Sequence, residues 1–337
     1  MVPALASKRS FTRSLVAVGL GLGFAWVHAQ PAPASSAPHD RNVSEWLMRM
    51  HDASKLRSYV GTFVVSSIGG GMSSARIWHA CEGNVQVERV ESLSGAPRSV
   101  FRRNDRVVTF YPEAHVVRTE TRDSLGIFTN LLKAGDSSIP EFYIARRVGT
   151  DRVAGFETDV VQLAPRDSLR FGYRIWSERK SGLVVKLQTV DADGNVLEQS
   201  AFSELALDVP VRADKLTQMM GNTSGWHVQN GDVLRTSAEK EGWQLDSPPA
   251  GFKPISCYKR PSPAPGGTLQ WVFSDGLAAV SLFLEPFDAR RHTQEGLFAS
   301  GATQTMTRRV QDWWLTAVGE VPPSTLRAFA QALERRK

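Results

Sequence analysis

The chain has 337 residues, 42% of them hydrophobic, with 40 Lys and Arg against 34 Asp and Glu, for a formal charge of +6. A length of this order fits two domains, and the apolar fraction supports real cores. No run of five or more like charges occurs, which argues against the concentrated basic surface of a nucleic-acid binder.

The first element is a leader. Lys8, Arg9 and Arg13 precede an apolar run from Leu15 to Val27, and Val27-His28-Ala29 offers small residues at the −3 and −1 positions of a cleavage site. This pattern predicts a secretory signal peptide over 1–29, cleaved after Ala29. The apolar run is shorter than the roughly 20 residues that span a bilayer. Its loss removes three cations, leaving about +3 on the exported chain. Residues 30–40 are rich in Pro, Ala and Ser and read as a disordered leader.

A first domain is predicted over 41–207. It opens on a helix in which Trp46, Leu47, Met50, Ala53 and Leu56 recur at helical spacing. Strand candidates then follow at 58–67, 75–79, 85–92, 99–103, 106–111 and 115–120, joined by turn residues such as Gly69-Gly70-Gly71, Ser94-Gly95-Ala96-Pro97 and Asn104-Asp105. Residues 123–134 read as a helical or loop insertion, after which strands resume at 142–148, 158–163, 172–177, 184–190 and 196–204. So many short strands with one or two helices predict a mainly β fold: a curved antiparallel sheet or half-open barrel with covering helices. Its concave face must be filled by side chains, a helix or a ligand. Phe63, Trp78, Phe101, Phe110, Phe128 and Leu131 are the candidate lining residues for an apolar, acyl-binding cavity; as single residues, each also fits an ordinary core.

Asp208, Pro210, Gly221, Asn222 and Gly225 mark 208–225 as a linker. A smaller α+β domain is predicted over 226–337. Leu269, Trp271 and Phe273 alternate, Ser274-Asp275-Gly276 turns the chain, and Val280, Leu282 and Leu284 alternate back, which is a hairpin with one apolar face. Further strands fall near 304–310 and 313–318. Pro322-Pro323 opens a last helix with Leu326, Phe329, Ala330 and Leu333 on one face. Adjacent Trp313 and Trp314 point to opposite faces of a strand. One of them is then expected inside and the other exposed or at an interface. Trp271, Phe273, Trp313 and Trp314 are the candidate partner-binding residues.

Catalytic and cofactor motifs are absent from the sequence: it has no G-x-S-x-G, H-E-x-x-H, G-x-x-x-x-G-K or C-x-x-C. Asp191-Ala192-Asp193-Gly194-Asn195 begins like a calcium loop, but Val196 stands where that loop needs Gly and Phe202 where it needs Glu. The expectation is a non-enzyme without cofactor or metal. Cys81 and Cys257 fall in different predicted domains. Two readings stay open for them: a cross-domain disulfide formed in an oxidising compartment, or two buried free thiols.

Several segments resemble the RseB/MucB family in order along the whole exported chain. They are Ser58-Tyr59-Val60-Gly61-Thr62-Phe63-Val64, Arg76-Ile77-Trp78-His79, the stretch from Glu88 to Arg98, Asp151-Arg152-Val153-Ala154-Gly155 and Tyr173-Arg174-Ile175-Trp176. In the second half they are Pro249-Ala250-Gly251-Phe252, Phe273-Ser274-Asp275-Gly276-Leu277 and the stretch from Val318 to Pro323. The resemblance implies an N-terminal domain similar to the lipoprotein carriers LolA and LolB, and a smaller C-terminal α+β module. It also implies a periplasmic regulator of an envelope-stress sigma factor. Such a protein binds the periplasmic segment of a single-pass anti-sigma factor of the RseA/MucA type and shields it from proteolysis. Lipid-type signals, lipopolysaccharide or lipoprotein acyl chains, are expected to release it. A homo-oligomer is left open. The alternative reading is a periplasmic lipid or lipoprotein carrier, although a carrier of the LolA kind needs no second domain.

Overall fold

The computed structural model describes residues 43–83, 85–121, 139–231, 233–262 and 266–336. The expected signal peptide and leader, together with Phe128 and Leu131, lie outside these residues.

Helix α1 (Val43–Leu56) leads into six strands: β1 (Tyr59–Ser67), β2 (Met72–Glu82), β3 (Val85–Ser92), β4 (Ser99–Arg103), β5 (Arg106–Tyr111) and β6 (Val116–Thr121). A single turn, α2 (Ile139–Phe142), then opens β7 (Tyr143–Val153), β8 (Phe156–Pro165), β9 (Gly172–Glu178), β10 (Val184–Val190) and β11 (Val196–Leu207). Helix α3 (Ala213–Gly221) and β12 (His227–Asn230) follow. Together the twelve strands form one open sheet in the order β12-β6-β5-β4-β3-β2-β1-β11-β10-β9-β8-β7. Sequence neighbours pair as antiparallel hairpins, and β1 closes against β11. The expected mainly β fold with covering helices is therefore present.

Each helix covers one face of this sheet. On α1, Trp46, Leu47, Met50 and Ala53 are buried while Leu56 is 66% exposed. At about 100° per residue, Leu56 sits roughly 60° beyond the arc that the other four occupy. That arc packs on Tyr59, Phe63, Ile175, Leu183 and Phe202 in the largest core. In β1 the inward residues alternate as Tyr59, Gly61 and Phe63. A Cβ at Gly61 would stand 2.7 Å from the Phe202 ring and from the Glu204 carbonyl oxygen. Only glycine admits that approach, and the β1–β11 register shifts beside it, between Thr62 and Phe63.

The stretch 208–225, expected as a linker, contains α3. Ala213 and Leu216 pack on Ala80 and Val87 of the opposite sheet face, and Met220 packs on Phe101 and Val117. Strand β12 then pairs with β6 in parallel, His227 opposite Val116. The chain leaves the first sheet only after Asn230, later than the expected boundary at 226.

The second sheet is built from β13 (Leu234–Arg235), β15 (Lys253–Arg260), β16 (Thr268–Ser274), β17 (Ala279–Pro286), β18 (Gly296–Ser300), β19 (Thr303–Val310) and β20 (Trp313–Gly319). Its order is β13-β15-β16-β17-β20-β19-β18. The remaining strands, β14 (Trp243–Leu245) and β21 (Leu333–Arg335), pair with each other. Helix α4 (Pro323–Ala332) buries Leu326, Phe329 and Ala330 in the core of this sheet. The β16–β17 hairpin has the expected register, with Leu269, Trp271 and Phe273 opposite Leu284, Leu282 and Val280.

Candidate functional site

Registered neighbours in a sheet share a face, so strand pairing decides which aromatic residues can line one surface. Phe63 pairs with Ala75, and Trp78 with Val60 and Arg89. Arg89 pairs with Phe101, while Ser99 pairs with Phe110. Phe63 therefore lies on the α1 face, and Trp78, Phe101 and Phe110 lie on the α3 face. The expectation of one shared cavity lining is corrected on that point. Phe63 is 2% exposed and packs edge-on to Phe202. Phe101 and Phe110 pack edge-on to each other under Met220, and Trp226 closes over Phe110 at 5.2 Å. Trp226, expected in the second domain, thus packs on the first sheet.

On the α3 face, Trp78 stays half-buried between two cations. The Arg89 guanidinium stands 4.8 Å from its ring and the Arg76 guanidinium 5.6 Å. Arg89 also lies over Phe101 at 5.5 Å and is held by Glu91 at 2.8 Å. On the α1 face, His79 stacks on Tyr59 at 5.0 Å, and its Nδ1 is 3.5 Å from the Glu88 carboxylate. Burial, reinforced by Glu88, pushes the Tyr59 hydroxyl far above the usual phenol range.

In the second sheet Trp271 and Phe273 are core residues, 7% and 1% exposed. As placed they offer no surface to a partner, which corrects the reading of them as a binding face. Trp313 and Trp314 do point to opposite faces, but both are engaged. Trp313 meets Trp243 edge-on and carries Arg335 over its ring. Trp314 stacks on His292 at 4.8 Å, and His292 Nε2 is 2.9 Å from Glu285.

Cys81 and Cys257 are free thiols, so the cross-domain disulfide is not formed. Each is engaged within its own sheet: the Cys81 amide donates to Ser58 Oγ, and Cys257 sits in the core opposite Trp271. Burial, then Glu241 and Glu239, push the Cys257 thiol up to about 11. A thiol so placed stays protonated at neutral pH and is no nucleophile.

The feature that joins the two sheets was not legible in the sequence. Arg170, between β8 and β9, donates to Asp275 Oδ2 at 2.6 Å, and both side chains are fully buried. Tyr143 Oη donates to the same oxygen at 3.2 Å. Asp275 Oδ1 accepts the amides of Leu277 and Ala278, which closes the β16–β17 turn. Arg170 further binds Asp167 and the Ala250 carbonyl, and its guanidinium lies over Phe142 and Phe252. Thr325 of α4 donates to the Leu169 carbonyl at 2.7 Å. Every polar atom of the buried pair is matched, as a buried pair requires.

Among the described residues no cluster of His, Cys, Asp and Glu could hold a metal ion. No described helix is long and apolar enough to cross a membrane.

Comparison with known proteins gives a consistent result. Residues 42–220 match the model of the MucB/RseB N-terminal domain, and residues 237–334 that of the MucB/RseB C-terminal domain. The Sigma factor AlgU regulatory protein MucB of Pseudomonas aeruginosa is 29% identical over 316 residues, which cover 89% of this chain and 92% of that protein. The Sigma-E factor regulatory protein RseB of Escherichia coli K12 is 24% identical over 309 residues, 91% of this chain and 92% of that one. The crystal structure of MucB in complex with MucA(peri) superposes with a TM-score of 0.67 at 27% identity, covering 88% of this chain and all of that one.

Proposed function

The chain belongs to the MucB/RseB family, and from that premise we propose that it is a periplasmic negative regulator of an envelope-stress sigma factor. It binds the periplasmic segment of a membrane anti-sigma factor of the MucA type and keeps that segment from the protease that would degrade it. It is a binding protein and not an enzyme. The observation that carries this reading is the full-length likeness to MucB solved in complex with MucA(peri), across both sheets rather than one. The buried Arg170–Asp275 junction adds to it, because it ties the second module to the first.

A lipid-type signal releases the partner in this scheme. A signal displaces a partner only if it favours a state that binds the partner less well. The acyl chain of such a signal gains roughly 0.8 kcal/mol per buried methylene.

The test is calorimetry of the exported chain with its cognate anti-sigma segment in EDTA, followed by protease digestion of that segment with and without the chain. Binding without metal, together with slower cleavage, is expected. Absence of binding with and without added metal, or cleavage of the segment undiminished by the chain, would overturn the reading, and binding that needs a metal would overturn its metal independence.

A further inference from the structure

We propose that Arg76 and Trp78, on the α3 face of the first sheet, form a docking point for a single carboxylate on a segment of a protein partner. The proposal rests on the function proposed above and names one surface that serves it.

The patch has an unmet electrostatic demand. Arg76 is half-buried, and among the described residues no carboxylate lies within ion-pair distance of it. The Nε atoms of Arg76 and Arg89 are both shut off from solvent with no hydrogen-bond partner. Native structures leave few such groups, and each calls for an explanation. Arg89 is otherwise satisfied, through Glu91 at 2.8 Å and the rings of Trp78 and Phe101. Among the described residues Arg76 meets only the Trp78 ring, at 5.6 Å. A guanidinium beside an indole is positioned by the ring, while its two Nη groups can grip a carboxylate with two hydrogen bonds.

The neighbouring charges select the occupant. Cross-strand register sets Glu91 opposite Arg76, and Glu204 opposite Thr62, which is itself opposite Arg76. The patch therefore balances two cations with two anions. A multiply charged phosphate surface meets repulsion from both glutamates. A single carboxylate, flanked by an apolar group that lies on Trp78, meets far less of it.

The test uses the full exported chain and the purified periplasmic segment of its cognate anti-sigma factor. Arg76→Gln is expected to weaken binding by about tenfold or more, and Arg76→Lys nearly as much, because lysine lacks the fork. Glu204→Gln, at an exposed position, is expected to tighten binding about twofold and so moves in the opposite direction. One Asp→Asn or Glu→Gln change in the segment should reproduce the Arg76→Gln loss and not add to it. Unchanged affinity in Arg76→Gln, with wild-type near-ultraviolet circular dichroism, overturns the proposal. So does a loss seen only toward vesicles of anionic lipid and not toward the segment. If the unmutated chain does not bind the segment at all, the functional reading fails and this inference falls with it.

Discussion

Arg170 and Asp275 meet at 2.6 Å with neither side chain exposed, although 105 positions separate them in the chain. The pair links the β8–β9 connection of the first sheet to the β16–β17 turn of the second. Its partners are complete on both sides: Tyr143 and two backbone amides on Asp275, Asp167 and the Ala250 carbonyl on Arg170. A fully matched buried pair contributes little net stability over an apolar replacement, yet it fixes geometry, because every half-broken form leaves a charge unpaired. The junction therefore holds the two modules in one arrangement.

Asp275→Ala should destabilise the folded chain by about 3 to 5 kcal/mol, since it leaves Arg170 short of its main anion and frees two turn amides. The double change Arg170→Met with Asp275→Leu should recover part of that loss. Urea denaturation of the three variants checks this. An Asp275→Ala loss below about 1 kcal/mol would mean that Asp167 alone satisfies Arg170.

Gly251 backs the same junction. Its φ is +83°, and a Cβ there would stand 2.4 Å from Arg170 Nη2 and 2.6 Å from the Phe142 ring. Gly251→Ala adds backbone strain and a clash at a site with no room to relax. A loss of about 2 kcal/mol is expected. Gly194→Ala, with φ +84° but nothing within 4 Å, should lose only the strain part. The difference between the two, read from thermal or urea unfolding, isolates the clash.

Alternation exposed some of this in the sequence and hid the rest. The β16–β17 hairpin could be read to the residue, because Leu269, Trp271 and Phe273 mirror Leu284, Leu282 and Val280 across a short turn. Face assignment in the first sheet could not. Phe63 and Trp78 look alike as inward aromatics until the β1–β2 register is known, and one step of register moves a side chain to the other face. Helix α3 was masked by Asp208, Pro210, Gly221 and Asn222 around it. The signal present was Ala213, Leu216 and Met220, at i, i+3 and i+7. Strand β12 is exposed throughout and carries no alternation, so its parallel pairing with β6 left no trace. The Arg170–Asp275 contact depends on long-range packing that no local pattern records.

The α3 packing also changes what a cavity test can mean. Phe101 is 3% exposed beneath Met220 and beside Val108 and Phe110. Phe101→Ala should cost about 3 to 5 kcal/mol through lost burial and a residual cavity. Leu216→Ala, which loosens α3 from the other side, should cost about 2 to 4 kcal/mol. If α3 detaches before the sheet unfolds, limited proteolysis of Leu216→Ala will cut first between 208 and 225. Cleavage elsewhere at the same rate would show that α3 is integral to global unfolding.

The two cysteines separate by environment. Cys81 is partly exposed, whereas Cys257 is 8% exposed with its thiol pushed up to about 11 from an ordinary value of 9.0. In the native chain an alkylating reagent at pH 8 should therefore label Cys81 and spare Cys257, and both should react in denaturant. The raised value also sets a pH dependence. Between pH 9 and 11 the unfolded chain releases the Cys257 proton while the folded chain keeps it, so the unfolded state binds fewer protons. Stability contributed by the neutral thiol is then complete below pH 9 and is lost as pH rises toward 11, at up to about 1.4 kcal/mol per pH unit. Tyrosines and lysines titrate in the same window, so the comparison must be with Cys257→Ala. Its stability should fall less steeply than that of the unmutated chain between pH 9 and 10.5 in urea titrations. Parallel slopes, or a native peptide pair linked through Cys81 and Cys257 in non-reducing mass spectrometry, would contradict a buried free thiol at this position.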